Sequence, residues 1–397
     1  MTVPSTPAEP RIDRVGLAPI DLRLSARLAC DPGFAARDLV VPGHGGKRPD
    51  GTLTVGHPLR AGAYLRGAIV RQRPFGRTGR SVSELGIGMW GMGGGAGGWS
   101  GADERGSMTV LQAAVDAGVT LFDSAQVYGY GATDRLLGEV VRGNPDAALF
   151  AASKVPPKNR EWPARPGSHI RDAFPPEYVR NSVDGMLRQL GTDAIDLVQF
   201  HVWQDAWVDE PGFHQVIDEL RADGRVRHIG ISVNRREPAN VLRTLGSGLI
   251  DAVQVVYNIF DQAPEDELFP LCRELGVAVI ARVPLDEGSL TGTLTVDTRW
   301  PDGDWRNSYF TPANLRETVA RVEALCRLVP VGESMAGLAL RFILSNADVT
   351  TVIPGTRSPT HLTANLAAAA AGPLPPELLA SLRAHRWDRP QSSASQS

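Results

Sequence analysis

A closed (β/α)8 barrel is the fold class that this 397-residue sequence predicts, and three observations predict it. Eight short apolar runs rich in β-branched residues recur from about residue 73, an amphipathic stretch follows each, and several of those stretches stop at a glycine. Repeated strand–helix units build a parallel sheet, and eight parallel strands tilt and close around a packed interior, whereas an open doubly wound sheet needs only five or six.

The first strand is predicted at Leu85–Gly91, with a helix over Thr109–Ala117 that ends at Gly118. Val119–Asp123 and Ala148–Lys154 follow, with helices at Asp134–Arg142 and Pro176–Leu190, the second stopped by Gly191. Ile195–His201 precedes a helix at Phe213–Ala222 and Gly224, and Val226–Ser232 precedes Pro238–Leu245 and Gly246. Ala252–Tyr257 leads to Glu265–Leu275 and Gly276, Val277–Arg282 to Met335–Leu344, and Val349–Pro354 to Pro359–Ala370. Residues 286–311, with Trp300, Trp305 and Tyr309, read as a long loop after the seventh strand, a place from which a barrel's C-terminal face serves substrate. Pro375–Arg386 reads as a final extra helix. Gly86-Ile87-Gly88-Met89-Trp90-Gly91 fits GxGxxG formally, but its glycines fall within a strand instead of after one, so no dinucleotide-binding turn is read there.

Composition bounds the rest. Hydrophobic residues at 42% and charged residues at 21% allow a sizeable core, and a net charge of −3 leaves no electrostatic footprint for nucleic acid. No apolar run approaches the roughly 18 residues of a membrane span. Cys30, Cys272 and Cys326, an odd number at wide spacing, argue against a disulfide framework or a zinc site and fit a reducing cytoplasm. Neither nucleic acid nor membrane is expected as a partner, and oligomeric state leaves no mark. Residues 1–73 carry 11 Lys and Arg against 6 Asp and Glu, with eight prolines and no sustained periodicity; they read as a basic leader, disordered or loosely docked. Residues 74–390 read as the barrel.

Chemistry in a barrel sits at the C-terminal strand ends. Strand two ends at Asp123 with Tyr128 close behind, strand three at Lys154 and strand four at His201. An acid, a phenol, an amine and an imidazole therefore meet on one face. Only three of the 41 basic side chains are Lys, so a Lys ending an apolar strand asks for a compact ammonium instead of a planar fork. Such a charge beside a phenol favours the phenolate and should lower the Tyr128 pKa, while Asp123 keeps Lys154 charged and in place. Tyr130 is a rival phenol two residues on.

The run Phe122-Asp123-Ser124-Ala125-Gln126-Val127-Tyr128-Gly129, the pair Ser153-Lys154, Gln199-Phe200-His201, Gly230-Ile231-Ser232, Gln254-Val255-Val256-Tyr257-Asn258 and Ile353-Pro354-Gly355-Thr356-Arg357 together resemble the aldo-keto reductase superfamily over about residues 74–386. The resemblance implies reduction of a small-molecule aldehyde or ketone by NADPH, with Tyr128 as general acid, Lys154 and Asp123 behind it, and His201 orienting the carbonyl. It also implies Ser232 and Gln254 at the nicotinamide carboxamide, and Leu285, Gly288 and Leu290 in the loop over the pyrophosphate. Gly355, Thr356 and Arg357 would then meet the adenosine 2′-phosphate, and His361 and Asn365 the adenosine. Two departures stand out: Val233 separates Ser232 from Asn234, and Arg282 stands where the family shows an aromatic stacked on the nicotinamide. Trp90 and Trp203 are expected to wall the substrate pocket. The same residues would also serve a dehydrogenase working in the oxidising direction on a sugar or alcohol, and the cofactor loops alone would serve an NADPH-binding regulatory module without turnover.

Overall fold

The computed structural model describes residues 70–94, 101–222 and 224–389. Ten strands are present: β1 (Gln72–Pro74), β2 (Ser81–Ser83), β3 (Ile87–Gly88), β4 (Leu121–Asp123), β5 (Phe150–Val155), β6 (Ile195–Phe200), β7 (Val226–Ser232), β8 (Ala252–Val256), β9 (Ala278–Arg282) and β10 (Thr351–Val352). Strands β3 to β10 pair in parallel in chain order, and bridges Leu85–Val352 and Gly88–Gly355 join the last strand to the first. All eight predicted runs therefore form the barrel. The glycine run of the first strand serves this closure, since a Cβ on Gly88 would lie 2.8 Å from the Ile353 carbonyl oxygen.

Period-two alternation then sets the interior. Leu121, Ala152, Leu197 and Ala252 belong to one buried apolar layer with Phe75, Val82, Phe150, Ala278, Ile280 and Ile353. Two residues further along the same faces stand Asp123, Lys154, Gln199 and Gln254, all at most 2% exposed, and Arg282 follows Ile280 in the same way. The barrel is thus apolar below and polar at its C-terminal mouth.

The outer helices are α1 (Glu104–Asp116), α2 (Ala132–Gly143), α3 (Pro176–Leu190), α4 (Pro211–Ala222), α5 (Leu242–Gly246), α6 (Leu268–Leu275), α7 (Pro312–Cys326), α8 (Met335–Leu344), α9 (Pro359–Ala370) and α10 (Pro376–Arg383). Helix α7 has no counterpart in the predicted set, although Thr311 caps it through the Asn314 N–H and Pro312 opens it. Gly246 stays helical, and Gly248 takes the positive φ expected of it. The long segment after β9 is more ordered than a loop: it holds a 3-10 turn over Asp286–Thr291 and a short helix over Arg306–Tyr309.

The predicted boundary between leader and barrel at 73/74 falls too late. Residues 1–69 lie outside the described residues, but Val70 is buried, and β1 pairs antiparallel with β2 to form a hairpin that inserts Phe75 and Val82 into the apolar layer. Arg71 and Arg73 both pair with the buried Glu84, and Arg73 also donates to the carbonyls of Leu344 and Val349 at 2.7 and 2.6 Å. Among the described residues no helix is long and apolar enough to cross a membrane.

Candidate active site

Strand parity brings the sequence-predicted tetrad together at the mouth. Lys154 Nζ donates to Asp123 Oδ2 at 2.5 Å and to the Ser124 carbonyl at 2.8 Å, and it lies 5.1 Å from the centre of the Tyr128 ring. The Tyr128 ring meets His201 edge-on at 5.9 Å between centroids. Gly129 permits this approach, because with φ of +59° a Cβ there would sit 2.0 Å from the Gly93 carbonyl oxygen. The rival phenol, Tyr130, is 80% exposed and stands apart from the cluster.

Asp123 is held more tightly than the tetrad alone would do. Its Oδ1 accepts from Gln199 Nε2 at 3.0 Å and from Gln254 Nε2 at 2.8 Å, and Gln254 Nε2 also donates to Gln199 Oε1 at 3.1 Å. Both oxygens of the carboxylate thus face buried donors. Gln199 was not singled out from the sequence, although a polar side chain inside an apolar strand, in register with Lys154, is a readable signal. Behind the strands, Asp134 Oδ1 accepts from Ser124 at 2.5 Å and from Ser153 at 2.9 Å, the residues next to Asp123 and Lys154. One buried carboxyl therefore ties together the two strand ends that carry the ion pair.

Electrostatics assign a state to each group. Burial pushes the Lys154 ammonium down, but the Asp123 carboxylate and the Tyr128 phenol more than reverse this, so Lys154 stands above the usual lysine value. For Tyr128 burial raises the pKa, Lys154 opposes it, and the balance is upward; the expected lowering by the ammonium is outweighed by desolvation. The free site therefore holds the phenol as a proton donor. Burial, then Lys154 and Arg282, keep His201 well below the usual histidine value, so the ring is neutral at physiological pH. Its Nδ1 is buried without a hydrogen-bond partner.

Arg282, at the end of β9, donates from Nη2 to the Val233 carbonyl at 3.1 Å, and its Nε is a second buried polar atom without a partner. Burial and the nearby Arg235 press its pKa down to about 10. The segment after it is unusual: Val283, Asp286 and Glu287 all have positive φ, a conformation that costs about 1–3 kcal/mol per non-glycine residue and persists only where surroundings enforce it. Enforcement is visible. Arg235 binds Glu287 at 2.6 Å, Arg389 binds Asp286 at 2.8 Å, Tyr309 joins Arg235 to Asp286, and Asn258 donates to the Val283 carbonyl.

The remaining predicted residues fall as follows. Ser232 is buried beside Gln254 in the β7–β8 register. Leu285 is half-buried and accepts the N–H groups of both Gly288 and Leu290, whose own side chain is in the core, so neither N–H is free in this form. Gly355 and Arg357 are exposed, the Arg357 stem passes beside Gly91, Asn365 donates to Thr356 at 3.0 Å, and His361 is exposed on α9. Trp90 is half-buried and meets Trp305 at 5.3 Å.

One further expectation requires correction. Trp203 does not wall a pocket: it is 0% exposed, packs on Phe200, Trp207 and Phe213, and donates to Thr244, because its loop turns inward onto the helices. The ring that does face His201 is Trp162, at 4.6 Å. Asn234 spends its amide on the Trp203 backbone, accepting at 3.2 Å and donating at 2.8 Å, and so does not take the place of the missing Asn after Ser232.

Comparisons with known proteins point to one family. The chain is 31% identical over 294 residues to the aldo-keto reductase YhdN of Bacillus subtilis, covering 72% of this chain and 85% of that protein. It is 29% identical over 319 residues to the NADH-specific methylglyoxal reductase of Escherichia coli, covering 75% and 93%. Among solved structures, the holo form of aldo-keto reductase AKR11C1 from Bacillus halodurans superposes with a TM-score of 0.63 at 26% identity, over 82% of this chain and all of that one. A family model described as the aldo/keto reductase family matches residues 84–386, and with that span the chain belongs to the aldo/keto reductase family.

Proposed function

We propose that this protein reduces an aldehyde or ketone to an alcohol with NADPH, and that Tyr128 is the general acid. The observation that carries the reading is the Tyr128 phenol set at the barrel mouth between the paired Lys154 ammonium and the edge of the His201 ring. The residues present fit a nicotinamide cofactor: two buried polar atoms, His201 Nδ1 and Arg282 Nε, lack partners at the mouth, and α9 begins with no side-chain cap on its free N–H groups. When bound, the nicotinamide supplies a hydride to the carbonyl carbon.

The chain's own groups handle the proton and the geometry. His201, neutral, donates a hydrogen bond to the carbonyl oxygen and fixes its direction. Tyr128 Oη passes its proton to that oxygen, and Lys154 compensates the phenolate left behind. Asp123, with Gln199 and Gln254 behind it, keeps Lys154 in position. Ser232, Gln254, Arg282, Leu285, Gly288 and Leu290 would hold the nicotinamide and pyrophosphate half of the cofactor, and Gly355, Thr356, Arg357, His361 and Asn365 the adenosine half. The E. coli relative is named NADH-specific, so the choice of NADPH rests on Arg357 beside the open N-terminus of α9.

A panel of aldehydes and ketones with NADPH oxidation as readout tests the reading, with Tyr128→Phe as control. The variant should lose about 10²–10⁴-fold in kcat and keep its NADPH affinity. Unchanged turnover in Tyr128→Phe, or no oxidation with any carbonyl, overturns it.

A further inference from the structure

The mouth carries an unbalanced charge. Asp123 and Lys154 cancel within their pair, Gln199 and Gln254 are neutral, and His201 is held neutral. Among the described residues Arg282 has no such partner: its Nη2 donates to the Val233 carbonyl, its Nε has no partner, and the carboxylates of the adjoining segment are already occupied. Glu287 belongs to Arg235, and Asp286 to Arg389 and Ser289. Asp134 is bonded to the Ser124 and Ser153 hydroxyls and to no group of the mouth. Burial and the like charge of Arg235 press the Arg282 pKa down to about 10, against the smaller opposing pull of Tyr128, Glu287 and Asp123.

Hydride transfer puts the donor carbon about 3–3.5 Å from the carbonyl carbon, whose oxygen must lie on Tyr128. A bound nicotinamide would therefore share the mouth with Arg282, which follows the inward Ile280 by two residues as Asp123, Lys154, Gln199 and Gln254 follow theirs. A guanidinium accepts a flat neutral ring by stacking, but it repels a cationic one. We propose that Arg282 makes this site discriminate between the two redox states of the cofactor, holding the neutral reduced nicotinamide and disfavouring the cationic oxidised ring. The inference rests on the reductase reading above and assigns it a direction. The overall reaction equilibrium is unaffected. What changes is the share of protein tied up by oxidised cofactor, so a reductase built this way sheds NADP⁺ readily and is weakly inhibited by it.

The test is equilibrium binding, independent of turnover. Quenching of tryptophan fluorescence by NADPH and by NADP⁺ gives both dissociation constants for the wild type, Arg282→Lys, Arg282→Gln and Arg282→Tyr. In the wild type NADPH should bind at least about tenfold tighter than NADP⁺, equivalent to about 30 mV on the bound two-electron couple. Arg282→Gln and Arg282→Tyr should lower that ratio about tenfold, mainly through tighter NADP⁺, and Arg282→Lys should keep it. An unchanged ratio in Arg282→Gln overturns the proposal, and so does a lysine variant that behaves like glutamine, since shape and not charge would then be responsible. Failure of the wild type to bind either cofactor overturns the reductase reading and this inference together. Binding of both with an indifferent ratio overturns the inference alone.

Discussion

Replacing Asp123 by Asn tests the ion pair at the centre of the site. The carboxylate accepts from three buried donors, Lys154 at one oxygen and the Gln199 and Gln254 amides at the other. An asparagine offers one acceptor oxygen and one NH2, so in either orientation a donor faces a donor, and no water reaches Lys154, which is 0% exposed. Breaking a buried pair by removing one partner costs about 3–5 kcal/mol, and about 4 kcal/mol at pH 7 is expected here. The pH dependence is the sharper readout. In the wild type the Lys154 pKa lies above its ordinary value, so its contribution to stability is complete below about pH 10 and fades only as pH rises through the raised value. Without Asp123, burial becomes the dominant influence and the folded-state pKa drops below the ordinary one. The folded variant then binds fewer protons than its unfolded chain, and its stability rises with pH toward 10. Urea unfolding followed by circular dichroism at pH 7 and pH 9.5 measures both effects. A penalty under about 1 kcal/mol at pH 7, or one of equal size at both pH values, refutes the reasoning.

Asn234→Ala should cost about 1–3 kcal/mol in urea unfolding, because it leaves the buried Trp203 N–H without its acceptor and the Trp203 carbonyl with only the longer bond from Asn240, yet NADPH affinity should stay within about twofold; a large loss of affinity would place Asn234 in the cofactor site after all. Arg357→Ala should weaken NADPH by about tenfold or more and NADH by less than about twofold, and parallel losses in the two dissociation constants would count against the 2′-phosphate assignment. Since His201 is neutral across the physiological range, the pH profile of kcat should show no histidine limb between pH 6 and 8. A limb near 6.5 that disappears in His201→Gln would contradict that state.

Strand periodicity made most of the barrel legible, and the reason is local: each strand is a short apolar run whose alternation also decides which polar residue points inward. Asp123, Lys154 and Gln254 could be placed by that rule because each follows an inward apolar residue by two positions. Helix α7 was legible in principle, since Leu315, Val319, Val322 and Cys326 keep helical spacing behind a Thr-Pro start, but a count of eight strand–helix units leaves no place for it. The hairpin of β1 and β2 was not legible. Its three-residue strands hold Pro74 and sit among arginines, and what fixes them is tertiary: Phe75 inside the barrel and Glu84 beneath Arg71 and Arg73.

Trp203 shows the same limit at the site. A tryptophan two residues after His201 serves equally well as a pocket wall or a core side chain, and the choice is made by Thr244 and Asn234, both more than 30 residues away. The pKa of Tyr128 is a related case. Sequence places an ammonium beside the phenol and so argues for a lowered value, but how much protein covers the phenol is a property of the whole mouth, and that coverage wins. The two facts are compatible with one mechanism. A phenol that stays protonated in the free site keeps its proton until a carbonyl oxygen arrives to accept it, and Lys154, held charged by Asp123, acts only as negative charge develops on Tyr128. The ammonium therefore contributes more to the transition state than to the resting protein, which is the condition under which an interaction raises kcat.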